Sequence, residues 1–169
     1  HFVTQLARVS KEELAVPEQP RIFSLQKLVE VADFNMGRIR IVWSKIWRVL
    51  ALHFIEAASH PNIKVCMYAI DSLRQLSMKF LEKDELSNYN FQVEFLRPFE
   101  TVMLNSGGTV SKEVKEYIVS IISNMVQSRI TNIKSGWKIV FHILRAAAQE
   151  HNTKAVPRSA FIVMDTVVQ

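Results

Sequence analysis

A helical period running through residues 38 to 58 constrains this chain most. Ile39, Val42, Trp43, Ile46 and Leu50 stand at i, i+3, i+4, i+7 and i+11, and Phe54 and Ala57 extend the set. A rival two-residue period opens the stretch RIRIVWSKIW, where Ile39, Ile41 and Trp43 alternate with Arg38, Arg40 and Val42. It breaks at Ile41-Val42-Trp43 and again at Ile46-Trp47. A run of roughly 20 residues also exceeds the usual strand length. The stretch is predicted as a helix with Trp43 in the core and Trp47 on its flank. Arg40, Lys45 and Arg48 lie outside.

The same period recurs on both sides. Phe2, Leu6 and Val9 predict a short helix that ends before Pro17. Ser24 is expected to cap a helix facing inward with Leu25, Leu28, Val29 and Ala32, and Gly37 to break it. SHPN (59 to 62) reads as a turn. Asn62 then caps a helix with Val65, Ala69, Leu73, Leu76 and Phe80 on its buried face. After the polar KDELSNYN, a helix over 92 to 104 carries Phe95, Phe99 and Val102, with Pro98 as a kink or a late start. Ser111 caps the next helix, with Val114, Ile118, Ile121, Ile122 and Met125. Another starts near Ser135 with Trp137, Ile139, Val140, Ile143 and Leu144. QEHN leads to a last one with Pro157 at its start, then Ala160, Phe161, Met164 and Val167.

The helices repeat. Trp43 and Trp137 each open the first helix of a pair, and each is followed by a polar turn. In the second helices, Val65, Ala69, Leu73 and Leu76 map onto Val156, Ala160, Met164 and Val167 at an offset of 91. Val114, Ile118, Ile122 and Met125 fall between them. A period of roughly 45 residues per helix pair matches HEAT and armadillo repeats, whose pairs bury their apolar stripes by stacking. The expected architecture is all-α: a HEAT/armadillo-like α-solenoid of about three antiparallel pairs. It forms one domain over 1–169, with repeats near 38–81, 92–128 and 135–169. A plain helical bundle is the alternative. Four glycines and five prolines are too few for a sandwich of many short strands. The first residues, His1-Phe2, and the apolar last ones, Val167-Val168-Gln169, read as a segment of a longer chain.

Reactive chemistry is hard to assemble. The five histidines form no metal-ligand pattern at i, i+4, and neither HExxH, GxGxxG nor a phosphate-binding GxxxxGK[ST] occurs. Glu12-Glu13 and Asp84-Glu85 are neighbours on helical periods and point about 100° apart, as solvated faces do. Cys66 is expected as a small buried hydrophobe, and His142 as a core or interface histidine. No cofactor, metal or catalytic residue is expected. No run of 18 apolar residues is present to span a membrane. The net charge of +5 is modest and dispersed, and no aromatic platform among cations points to nucleic acid.

Binding is then the expected activity. The helix after SHPN carries Met67, Asp71, Arg74 and Met78 off its core face, with Lys64 and Lys79 flanking. Asp71 and Arg74 stand one turn apart and can pair. Either this is an ordinary solvated face, or it is a contact strip with methionine as adaptable area and arginine as directed charge. The candidate partner-binding residues are Arg40, Arg48, Arg74, Gln75, Met78 and Lys79.

Four stretches go beyond periodicity: RIFSLQKLVEVADFNMGRIRIVWSKIW (21 to 47), MYAIDSLRQLSMKFLEKDEL (67 to 86), FLRPFETVM (95 to 103) and IKSGWK (133 to 138). They resemble, in order, the region downstream of the catalytic domain in large Golgi Arf guanine-nucleotide exchange factors of the Sec-seven/BIG, brefeldin-A-inhibited type. The chain departs from the family at VADFNM, where two tyrosines often precede NM, and in the SGGTVSKEV loop. The resemblance implies an early helical-repeat homology region, the second by count, with the first as the alternative. It implies no catalytic glutamate in this chain. It also implies a regulatory role at Golgi and trans-Golgi membranes from the cytoplasmic side. The partners implied are an Arf-family or other small GTPase, other regions of the parent exchange factor, and the membrane periphery. A structural spacer or dimerisation scaffold and an anionic-membrane-binding module are the alternatives.

Overall fold

The computed structural model describes residues 1–16, 18–38, 40–83, 91–105 and 108–149. These form seven helices and, among the described residues, no strand: α1 Phe2–Leu14, α2 Phe23–Asn35, α3 Arg40–Ala58, α4 Ile63–Leu81, α5 Phe91–Met103, α6 Lys112–Arg129 and α7 Trp137–Gln149. The fold is of the all-α, helical-repeat class. The helix expected over the last residues, with Pro157 at its start, lies outside the described residues, as do most of KDELSNYN and Ser106-Gly107. The chain divides into two compact units, His1–Leu76 and Ser77–Gln169, with α4 running from the first into the second.

In the first unit α1, α2 and α3 pack on one another in all three pairings. Leu25, Leu28, Ala32, Leu50, Phe54 and Ala58 are fully buried. Each large apolar side chain hidden in this way contributes about 1.5–3 kcal/mol. Along α3 the helical period wins, and Trp47 belongs to the core beside Trp43: the two are 4% and 6% exposed. Their rings stack at 5.9 Å and 18°.

Trp47, expected on the flank, is thus one corrected expectation, and two more lie on α1 and α2. Phe2 and Val9 are 68% and 45% exposed, while Ser10 and Leu14 are buried. The inward face of α1 is polar in part, because Ser10 Oγ lies 2.8 Å from Nε2 of His53 on α3. Ser24 does not cap α2. It sits inside the helix, and its N–H donates to Oε2 of Glu13 at 2.9 Å, so a carboxylate from α1 satisfies one of the free N–H groups at the α2 start. Asn62 does cap α4, where Oδ1 accepts from the Lys64 N–H at 2.9 Å.

In the second unit α5, α6 and α7 pack pairwise. Phe80, on the last turn of α4, stacks on Phe95 at 4.0 Å. Ser111 caps α6 through the Val114 N–H. The predicted face of Val114, Ile118, Ile121, Ile122 and Met125 is buried, as are Ile139, Val140, Ile143 and Leu144 of α7. Pro98 lies inside α5, without breaking it. Trp137 is half-buried, because the core face of α7 centres on Val140, Ile143, Leu144 and Ala147 and leaves it on the flank. It stacks on Phe141 one turn on, at 5.6 Å and 27°, as Trp43 does on Trp47.

Candidate interaction surface

The outer side of α4 carries the residues that the sequence offers either as a solvated face or as a contact strip. Its inner side is fixed by Val65, Ala69, Ile70, Leu73 and Leu76, all 2% exposed or less. That burial turns Asp71, Arg74 and Gln75 outward. Asp71 organises them: Oδ1 accepts from Arg74 Nε and Oδ2 from Gln75 Nε2, each at 2.7 Å. The Arg74 and Asp71 side chains are 39% and 34% exposed, so the pair itself contributes only ~0.3–0.5 kcal/mol to the helix. Its larger effect is to hold two donor-bearing side chains in one orientation.

Met67 is half-buried on the same helix. Met78 and Lys79 lie past Leu76, in the second unit, where Met78 is half-buried and Lys79 exposed. On α3, Arg48 is exposed, and the side chain of Arg40 lies outside the described residues. The structure thus joins Arg74 and Gln75 through Asp71, a carboxylate that the sequence reading placed beside Arg74. Arg48 stands on another helix.

Among the described residues, Cys66, His60 and His142 each make a contact that ties local structure together. Cys66 is buried and its Sγ donates to the His60 carbonyl at 2.9 Å; burial pushes the thiol pKa up, which suppresses the thiolate. His60 braces the α3–α4 turn: Nε2 donates to the Leu14 carbonyl at 2.9 Å and Nδ1 accepts from the Asn62 N–H at 2.9 Å. His142 is exposed and meets Glu100 of α5 at 2.6 Å, so it ties two helices at the surface. Among the described residues no cluster of three His, Cys, Asp or Glu could hold a metal ion. No described helix is long and apolar enough to cross a membrane.

Sequence reasoning missed Gln92. It is 2% exposed, and its side chain clamps the turn before α7. Nε2 donates to the Asn132 carbonyl at 2.9 Å, and Oε1 accepts from the N–H of Lys134 at 2.8 Å and of Gly136 at 3.2 Å. A Cβ on Gly136 would come within 3.0 Å of Leu96 Cδ1 and 3.1 Å of Gln92 Oε1. The glycine of IKSGWK is therefore explained by close approach. A glutamine on an apolar periodic helix was the available signal.

Comparison with known proteins places the chain in a family. The family described as "Mon2/Sec7/BIG1-like, HDS" matches residues 79–165. The chain is 51% identical over 168 residues to brefeldin A-inhibited guanine nucleotide-exchange protein 1 of Arabidopsis thaliana, covering 99% of this chain and 10% of that protein. It is 50% identical over 155 residues to protein 3 of the same plant, covering 92% and 9%. With the Homo sapiens protein 1 it shares 48% over 155 residues, covering 92% and 8%. The chain spans about a tenth of the length of these relatives. Matched over more than half its residues by the family and over nearly all of them by the exchange proteins, the chain belongs to the Mon2/Sec7/BIG1-like HDS family.

Proposed function

We propose that this chain is a non-catalytic regulatory segment of an Arf guanine-nucleotide exchange factor. It acts in Golgi vesicle traffic by docking a GTP-loaded small GTPase or another region of its own parent protein. The observation that carries this reading is 48–51% identity along 92–99% of the chain to exchange proteins of which it forms only about a tenth. In this reading the helices are HEAT-like pairs of one repeat domain, held peripherally at the cytoplasmic side of Golgi membranes. Arg74 and Gln75, pre-set by Asp71, are the contact donors. Met78 and Lys79, Arg40 and Arg48 are further candidate contacts, each taken by itself. Methionine area adapts to a partner, and a pre-oriented arginine anchors it.

The test is binding of the chain to Arf loaded with GTP or with GDP, with and without Arg74→Glu. Selective binding to the GTP form, weakened about tenfold or more by the charge reversal, is the expected result. Equal or undetectable signals for both chains remove GTPase docking from this segment. A scaffold role has one observation in its favour: Phe34, Phe2 and Phe23 are 94%, 68% and 58% exposed. A concentration-dependent oligomer in sedimentation would support it, and a monomer that binds the GTPase would support docking.

A further inference from the structure

We propose that the outward face of α3 is a docking strip for an acidic amphipathic helix supplied by a partner. Ile41, Lys45, Arg48 and Leu52 stand at i, i+4, i+7 and i+11. They occupy an arc of about 60° and run about 16 Å along the helix axis. Ile41 and Leu52, at the two ends, are 68% and 61% exposed. Lys45 and Arg48, between them, are exposed. The core face of the same helix, with Trp43, Trp47, Leu50 and Phe54, points the opposite way. Packing against α1 and α2 therefore does not explain the outer four.

Charge selects the occupant. Among the described residues neither the Lys45 nor the Arg48 side chain has a hydrogen bond or an ion pair. Glu56, one turn beyond Leu52, is held by Lys11 of α1 at 3.0 Å. A similar stripe on α2, with Phe23, Lys27 and Phe34, lacks this property. Lys27 there reaches both carboxylate oxygens of Glu30, at 3.0 and 2.8 Å, and sits 5.6 Å over the Phe23 ring. On α4, Arg74 is held by Asp71. Among these three faces, α3 is the one that sets two cations with no partner among the described residues between two exposed apolar anchors; on α4 only Lys64, at the helix start beside Ile63, is comparable.

Two anchors three turns apart with positive charge between them fit a rod of the same pitch. That rod carries apolar residues at its ends and carboxylates between. A bilayer fits less well, because the cations share the arc of the anchors and would be drawn toward the acyl boundary with them.

The inference shares Arg48 with the GTPase reading but needs no GTPase in the experiment, so the failure of one is distinguishable from the failure of the other. A displayed library of helical peptides is selected on the immobilised 169-residue chain. The enriched peptides are expected to carry Asp or Glu between apolar positions eleven apart. A synthetic peptide of the leading sequence should bind in a salt-sensitive manner. Its affinity should fall about tenfold or more with Lys45→Glu/Arg48→Glu, with Ile41→Ser/Leu52→Ser, or with Lys replacing the acids of the peptide. All four side chains are exposed, so melting temperatures should barely change, and the peptide reversal needs no variant chain at all. No enrichment, enrichment without acids, or indifference to all three changes would overturn the proposal. So would adsorption to phosphatidylserine vesicles that the Lys45→Glu/Arg48→Glu chain loses.

Discussion

Replacing Gln92 by leucine should cost about 2–5 kcal/mol of stability, although the side chain keeps its approximate size. The amide makes three hydrogen bonds to the turn before α7, and leucine makes none. The Gly136 N–H is buried; left bare, it costs about 1–3 kcal/mol. The Asn132 carbonyl and the Lys134 N–H are part-buried and regain water, at about 0.5–1 kcal/mol each. Urea denaturation followed by far-ultraviolet circular dichroism measures the difference, and a thermal scan should show a fall of roughly 5–15 °C. Gly136→Ala supplies a cross-check. Its Cβ meets Leu96 and Gln92 at 3.0 and 3.1 Å. It should cost ~1–2 kcal/mol, less ~0.4–1 for the stiffer unfolded chain. Combined with Gln92→Ala, one of those contacts disappears, so the pair should cost less than the sum by about 0.5 kcal/mol or more. A Gln92→Leu chain within about 0.5 kcal/mol of the parent would refute the clamp. Strict additivity would refute the crowding.

His53 should make stability fall as pH drops. Burial holds its pKa below the usual 6.5, with Glu56 opposing and Lys11 reinforcing the shift, so the unfolded chain takes up a proton that the folded one resists. Stability is then level above that value and is lost below it. His53→Gln should flatten the slope in melts across pH while keeping a polar group near Ser10. Ser77→Ala should be neutral or stabilising by up to about 1 kcal/mol, because Ser77 Oγ is buried without a partner among the described residues; chemical denaturation would show it. Cys66 should resist alkylation until the first unit opens, so its labelling rate should follow unfolding; rapid labelling of the folded chain would contradict its burial.

Much of the architecture was legible because apolar spacing and caps act locally. Asn62 and Ser111 cap as their residue types predict, and the inward faces of α4, α6 and α7 follow the period. What escaped was long-range polar pairing. Ser10, Glu13 and Gln92 face inward because of partners 43, 11 and 40 to 44 residues away, and a hydropathy pattern assigns such residues to solvent. Of the candidate strip, the Asp71–Arg74 pair was readable from spacing. The second arm to Gln75 was not, since it depends on which oxygen each donor takes.

Docking through the outer side of α4 is the central claim, and hydrogen–deuterium exchange tests it most directly. The chain is compared alone and with GTP-loaded Arf, and protection is read peptide by peptide. Slowed exchange centred on residues 67 to 81, and absent with Arg74→Glu, is the predicted outcome. An unchanged exchange map, or protection that leaves α4 untouched, would contradict it.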